Sequence, residues 1–249
     1  VSAAILALIA GAVVGLALGA LGGGGSVLAV PALIYLLGFT PAAATTASLI
    51  IVTATSLTVL CAHARTGDVR WKAGALFTAA GLLPAAVAGA AAARLPQSLL
   101  TAAFAAVAAL AALKMLRPGR TDGDHTTTVR PAKAAGTGAG LGTLTGLLGV
   151  GGGFLAVPAL VTVLAFDMQA AVGTSLLVIS ANSLASLAAR GAGAAGIDWA
   201  VIGPFTGTAI LGAWDGKRLA AKVAGTLLQR TFAIVLLAVA AFMLTDALT

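Results

Sequence analysis

Gly22-Gly23-Gly24-Gly25-Ser26-Val27-Leu28-Ala29-Val30-Pro31-Ala32-Leu33 and Gly149-Val150-Gly151-Gly152-Gly153-Phe154-Leu155-Ala156-Val157-Pro158-Ala159-Leu160 are two versions of one phrase. Each lies inside an apolar stretch. Runs of glycine interrupt a helix, and in lipid the backbone groups they free must find other partners. Placed twice at matching positions, such breaks point to helical hairpins with glycine at the tip, a sign of a ligand site in a membrane carrier.

Composition puts the chain in a membrane. Hydrophobic residues make up 60% and charged residues 8%, against about a quarter charged in soluble domains. Mean hydropathy is +1.08. Stretches 42–62, 73–93, 99–113, 169–189 and 231–245 carry no charge, and about 20 apolar residues suffice to cross the hydrocarbon core. The net charge of +7 comes from 14 Lys and Arg against 7 acids, all Asp. The bases cluster at segment ends, which favours membrane orientation over nucleic-acid binding. Cys61 is the only cysteine, so no intrachain disulfide forms. The first apolar stretch runs into the glycine phrase without a clear cleavage site, and no signal peptide is assigned.

The halves align at one offset. Gly11, Gly15 and Gly19 fall on Gly138, Gly142 and Gly146. Pro31 falls on Pro158, Ser48-Leu49 on Ser175-Leu176, and Ser56-Leu57 on Ser183-Leu184. One inserted residue then brings Trp71 onto Trp199. Five apolar pieces result per half: 2–21, 26–38, 42–62, 72–93 and 97–116, then 134–148, 153–165, 169–189, 199–214 and 226–247. Arg65, Arg70 and Lys72 follow the third piece, whereas Lys217, Arg218 and Lys222 follow the ninth. A parallel repeat keeps its bases on equivalent loops; an inverted one exchanges them, as happens here. The Pro118-Gly119 and Thr126-Thr127-Thr128 segment reads as a solvated linker. Counting crossings puts it on the side of the basic loops, hence cytoplasmic, with both termini outside.

The expected fold is all-α and polytopic. Two inverted repeats each carry a Gly-tipped short helical hairpin and three transmembrane helices: residues 1–116, a linker 117–133, and residues 134–249. At the tips, helices starting near Ser26 and Gly153 would offer amides and a positive dipole end to an anion. The candidate ligands are Gly23, Gly24, Gly25 and Ser26 with Gly151, Gly152 and Gly153; the alternative is tight packing, the role assigned to Gly11, Gly15 and Gly19. Ser48, Thr174 and Ser175 would add hydroxyl donors, or else bond within their helices. Asn182, aligned with Thr55, needs a polar partner in lipid, either the ligand or a carbonyl. His63, Arg190, Asp167, Asp215 and Trp214 read as interface anchors, as do Trp71 and Trp199. Proton coupling by His63, Asp167 or Asp215 is the alternative.

Enzyme chemistry finds no footing. With no Glu, two His and one Cys, a metal site lacks ligands. Leu28 stands where a serine-hydrolase elbow needs glycine. Gly191-x-Gly193-x-x-Gly196 has no βαβ context to make it a dinucleotide loop. No cofactor is expected. The expected partners are a small anion, the bilayer and a second copy in a homodimer, without nucleic acid.

The phrases Gly142-x-x-x-Gly146-x-x-Gly149-Val150-Gly151-Gly152-Gly153-x-x-x-x-Pro158-x-Leu160 and Ala171-Val172-Gly173-Thr174-Ser175-Leu176 resemble the sulfite exporter TauE/SafE family. Gly196-Ile197-Asp198-Trp199 and the stretch from Gly207 to Gly212 also fit. The first half departs from the pattern, with Thr46-Ala47-Ser48 for Gly-Thr-Ser and Gly23-Gly24-Gly25-Ser26 for Val-Gly-Gly-Gly. The resemblance implies an inner-membrane secondary transporter of a sulfur-containing oxyanion: sulfite, sulfoacetate, another organosulfonate or thiosulfate. An anion channel of the same fold and a non-transporting scaffold are the alternatives.

Overall fold

Alanine and leucine supply helix propensity through most of this chain, and the computed structural model shows helices wherever the apolar pieces were drawn. It describes residues 2–92, 97–116, 131–148, 153–190 and 198–248. The helices are α1 (Ser2–Leu21), α2 (Gly24–Pro31), a π-helical turn (Ala32–Leu36), α3 (Pro41–Thr66), α4 (Trp71–Ala92), α5 (Gln97–Leu116), α6 (Pro131–Leu148), α7 (Gly153–Thr162), α8 (Met168–Arg190), α9 (Trp199–Ala220) and α10 (Gly225–Leu248). No strand occurs among the described residues. Five of these helices, α1, α3, α4, α8 and α10, are long and apolar enough to cross a membrane. The protein is thus all-α and polytopic. Ile9, Val13, Leu83, Val87, Ile234 and Phe242 are exposed, which suits a lipid-facing surface.

Helix α1 has the 20 residues expected of the first piece, so the first hairpin has one arm that can span the bilayer and one short arm. One expectation needs correction. Helices α3 and α9 outlast their apolar pieces, running through Arg65 and Arg218. Long basic side chains carry their charge away from the helix axis, so a charge does not end a helix at the interface.

Glycine sets the pairing of the halves. On α1, a Cβ at Gly11, Gly15 or Gly19 would lie 2.4, 2.0 or 1.9 Å from the carbonyl oxygen of Phe205, Ala209 or Ala213 on α9. On α6, a Cβ at Gly138 or Gly142 would lie 2.2 or 2.1 Å from that of Phe77 or Gly81 on α4. Numbers rise together in both pairs, so α1 runs parallel to α9 and α6 parallel to α4. The first helix of each half packs on the fourth helix of the other, backbone against backbone. The cores repeat the exchange. Ala29, Leu33, Ala44 and Ile51 bury Phe205, whereas their counterparts Ala156, Leu160, Ala171 and Val178 bury Phe77.

Cross-contacts fix the helix ends. Lys217 of α9 reaches the Ala62 carbonyl near the end of α3. Arg70, just before α4, donates its N–H to Thr174 near the start of α8 (3.1 Å). Gln229 near the start of α10 donates to the Met115 carbonyl at the end of α5 (2.7 Å). Helix α6 therefore starts at the end where α8 starts, and α6 with α7 goes out and returns. Arg65, Arg70, Lys72, Lys114, Lys133, Lys217, Arg218, Lys222 and Arg230 all belong to this end; Arg190, closing α8, is the exception among the described bases.

Both hairpins leave by the same turn. The Phe39 N–H donates to the Leu33 carbonyl (3.0 Å) and the Phe166 N–H to the Leu160 carbonyl (3.0 Å). The turn residue is left-handed in each: Gly38 at φ 70° and Ala165 at φ 55°. That conformation costs a non-glycine residue roughly 1–2 kcal/mol, while glycine gives back about 0.5–1 kcal/mol in unfolded-state entropy. Ala165→Gly is therefore expected to stabilise by about 0.5–1 kcal/mol, a rise of roughly 1–4 °C in melting temperature for this size. A thermal melt in detergent checks it; a lower midpoint would contradict the assignment.

Candidate functional site

The tip of the first hairpin is a two-residue turn. Leu21 ends α1, the Gly22 N–H donates to the Leu18 carbonyl (2.8 Å), and Gly22 turns left-handed at φ 68°. Gly23 is the N-cap of α2 and, being glycine, brings no capping side chain of its own. Helix α2 begins at Gly24, before the expected Ser26, so Gly24 and Gly25 belong to its first turn. In the second half α7 begins at Gly153, as expected. Gly151 and Gly152 lie outside the described residues, as do residues 117–130 of the linker and Gly191, Gly193 and Gly196.

This tip presses on the other half. A Cβ at Gly22 would lie 2.6 Å from Ser175 Oγ, 3.2 Å from Val157 Cγ2 and 3.4 Å from Val172 Cα. Gly22 is thus the residue that brings the first hairpin against α7 and α8, and reading the sequence for ligands from Gly23 onward missed it. Its alignment with Gly149 was the available signal.

The hydroxyls near the starts of α3 and α8 are buried. Ser48 Oγ donates to the Thr45 carbonyl (2.9 Å) and Ser175 Oγ to the Val172 carbonyl (2.8 Å), equivalent bonds in equivalent places. Each hydroxyl thereby satisfies its donor within its helix. Thr174 Oγ1 accepts the Arg70 N–H (3.1 Å) and holds the loop before α4 onto α8. The structure brings Ser175 to Gly22 but gives Ser48 no described contact with a tip. Asn182 is set apart, in a crevice with Phe77, Thr78, Gly81, Gly138, Leu141, Gly142 and Val178 between α4, α6 and α8.

A second polar group lies where α3 crosses α8. Ser180 Oγ is 2.9 Å from Ser56 Oγ and 2.7 Å from the Leu176 carbonyl. Ser56 Oγ donates to the Thr53 carbonyl (3.3 Å). Thr53 Oγ1 is buried without a hydrogen-bond partner among the described residues. The repeat of Ser56 and Ser183 in the sequence marks this level of the two helices.

The expected interface anchors divide. Asp167 Oδ1 accepts the Ala170 N–H (2.8 Å) and caps α8. Thr40 makes the equivalent cap on α3, accepting from the Ala43 N–H (3.4 Å). Asp198 caps α9 through the Ala200 N–H (3.0 Å). Capping, worth about 1 kcal/mol each, accounts for Asp167 better than anchoring does. Asp215 pairs with Arg218 across 3.7 Å on the exposed face of α9, and Trp71, Trp199 and Trp214 are exposed, as anchors should be. His63 is not an anchor: it is 5% exposed.

Comparison with known proteins agrees with this architecture. The sulfite exporter TauE/SafE family model matches residues 7–243. Two proteins described as "Probable membrane transporter protein", from Xylella fastidiosa strains 9a5c and Temecula1 / ATCC 700964, are each 34% identical over 242 residues. The match covers 94% of this chain and 92% of each relative. No solved structure matches the chain significantly. The chain belongs to the sulfite exporter TauE/SafE family.

Proposed function

We propose that this membrane transporter is a secondary carrier for a small sulfur-containing oxyanion: sulfite, sulfoacetate, another organosulfonate or thiosulfate. The observation that carries this reading is the contact of the Gly22 tip with Ser175 and Val157 of the other half. A glycine-lined helix start meets a hydroxyl from the opposite repeat. Helix starts carry partial positive charge and N–H donors, which suits an anion. The sulfur chemistry comes from the family.

In this reading the halves 1–116 and 134–249 are inverted repeats joined by the linker 117–133. The exchanged α1–α9 and α6–α4 pairs support it. The anion sits between the tips, held by amides of Gly23, Gly24, Gly25 and Ser26 and of Gly151, Gly152 and Gly153, with Ser48, Thr174 and Ser175 turning hydroxyls toward it and Asn182 further along the path. Ser175 would exchange its bond to the Val172 carbonyl for one to the anion. The positive-inside rule makes the basic end cytoplasmic and puts both termini outside.

Purified protein in liposomes tests the carrier reading. Internal unlabelled sulfite should drive transient accumulation of labelled sulfite, and the rate should saturate. Non-saturating flux without such counterflow would indicate a channel, and absence of any flux or protection from heat by these anions would indicate a scaffold.

A further inference from the structure

Among the described residues, His63 is the buried ionisable side chain that the proposed carrier site does not use. It lies in the last turn of α3, 5% exposed. Its Nδ1 is 3.3 Å from Asp68 Oδ2, an ion-pair distance without hydrogen-bond alignment, and its Nε2 has no partner among the described residues. Asp68 accepts from Thr66 Oγ1. Thr66 in turn accepts from Lys217 Nζ (3.2 Å), which also donates to the Ala62 carbonyl. The charged groups that face the imidazole are Asp68 from the loop and Lys217 from α9. Arg65, Arg70 and Lys72 are at the same end but exposed.

The charges decide what a proton does here. With a neutral imidazole, Lys217 and Asp68 balance through Thr66. A proton on His63 adds a positive charge in a buried place where the one carboxylate is already matched. The strain relaxes if Lys217 withdraws to water, which frees α9 from the end of α3.

The same loop touches α8 beside the candidate site. The Asp68 carbonyl oxygen lies 3.0 Å from where a Cβ on Gly173 would stand. The Arg70 N–H is held by Thr174, next to Ser175 and the Gly22 tip. Loosening Asp68 and Lys217 therefore loosens the loop where it holds α8, next to that tip.

We propose that His63 is a proton-binding residue that, with Asp68 and Lys217, latches the α3–α4 loop and α9 beside the hairpin tip, and that protonation opens this end of the carrier. It acts by position and rests on the carrier reading only for its link to transport. The chain has two histidines, so His125→Gln leaves His63 as the single imidazole for a nuclear magnetic resonance titration in nanodiscs. Hydrogen exchange of residues 67–70 and 215–220, corrected for intrinsic rates, should rise at least about threefold as the pH is lowered through that titration. The rise should follow the His63 titration and vanish in His63→Gln. Equal rises in His63→Gln, or protonation of His63 with no change in exchange, would overturn the latch. Sulfite counterflow over the same pH range should depend on pH in the wild type and lose that dependence in His63→Gln; an unchanged profile would also overturn it. If no anion moves in either protein, the carrier reading fails, and the exchange measurement still decides for or against the latch.

Discussion

Gly142→Ala is expected to unfold the α4–α6 pair, while Gly140→Ala, on the next exposed position of the same helix, leaves the protein intact. The added methyl at position 142 would stand 2.1 Å from the Gly81 carbonyl oxygen and 2.7 Å from its Cα. Both atoms are backbone and cannot step aside as a side chain does. Ordinary contact needs more than 1 Å of further separation, and that opens the whole helix pair. Overpacking of this kind costs about 3 kcal/mol or more when backbone must move. At Gly140 a Cβ meets nothing within 4 Å, and alanine there gains up to about 1 kcal/mol of helix propensity. Gly15→Ala should repeat the loss at the α1–α9 pair, where the Ala209 carbonyl oxygen stands 2.0 Å away. Folded yield in detergent and the melting midpoint check this. Equal stability of the 140 and 142 variants would show that the helices are not in this register.

Gly22→Ala should abolish transport with a smaller loss of stability. The left-handed turn at φ 68° costs alanine roughly 1–2 kcal/mol. The methyl would also stand 2.6 Å from Ser175 Oγ, a side-chain atom that can rotate away. The fold therefore tolerates the change, but the new methyl and the displaced hydroxyl fill the space between tip and α8. A transport loss of at least about tenfold, or 1.4 kcal/mol in barrier terms, is expected. Ser175→Ala added to Gly22→Ala removes the clashing oxygen and should recover the part of the stability lost to the clash, though not the part lost to the left-handed turn, without recovering transport. Normal counterflow in a folded Gly22→Ala protein would remove the tip from the site.

The helices were legible because charge and apolar length mark them. The swap of helices between halves was legible only indirectly, through the exchanged basic loops. Three features were hidden for physical reasons. The left-handed Ala165 carries no local signal, since alanine ordinarily avoids that conformation; only its alignment with Gly38 marks it. The Arg70–Thr174 bond joins residues 104 apart in sequence, and one chain cannot announce such a pairing. Asp167 and Asp198 look like interface charges in an apolar sequence, yet each sits one residue before a helix and acts as its cap. The site itself was half legible. The glycines located the first tip, but which glycine turns and what it touches depend on the fold.

The carrier account stands or falls on counterflow. In proteoliposomes holding excess unlabelled sulfite, the wild type should transiently concentrate labelled sulfite above the external level, and Gly22→Ala should not. Failure of the folded wild type to show such accumulation with sulfite, sulfoacetate or thiosulfate would contradict an anion site at the hairpin tips for this class of substrate.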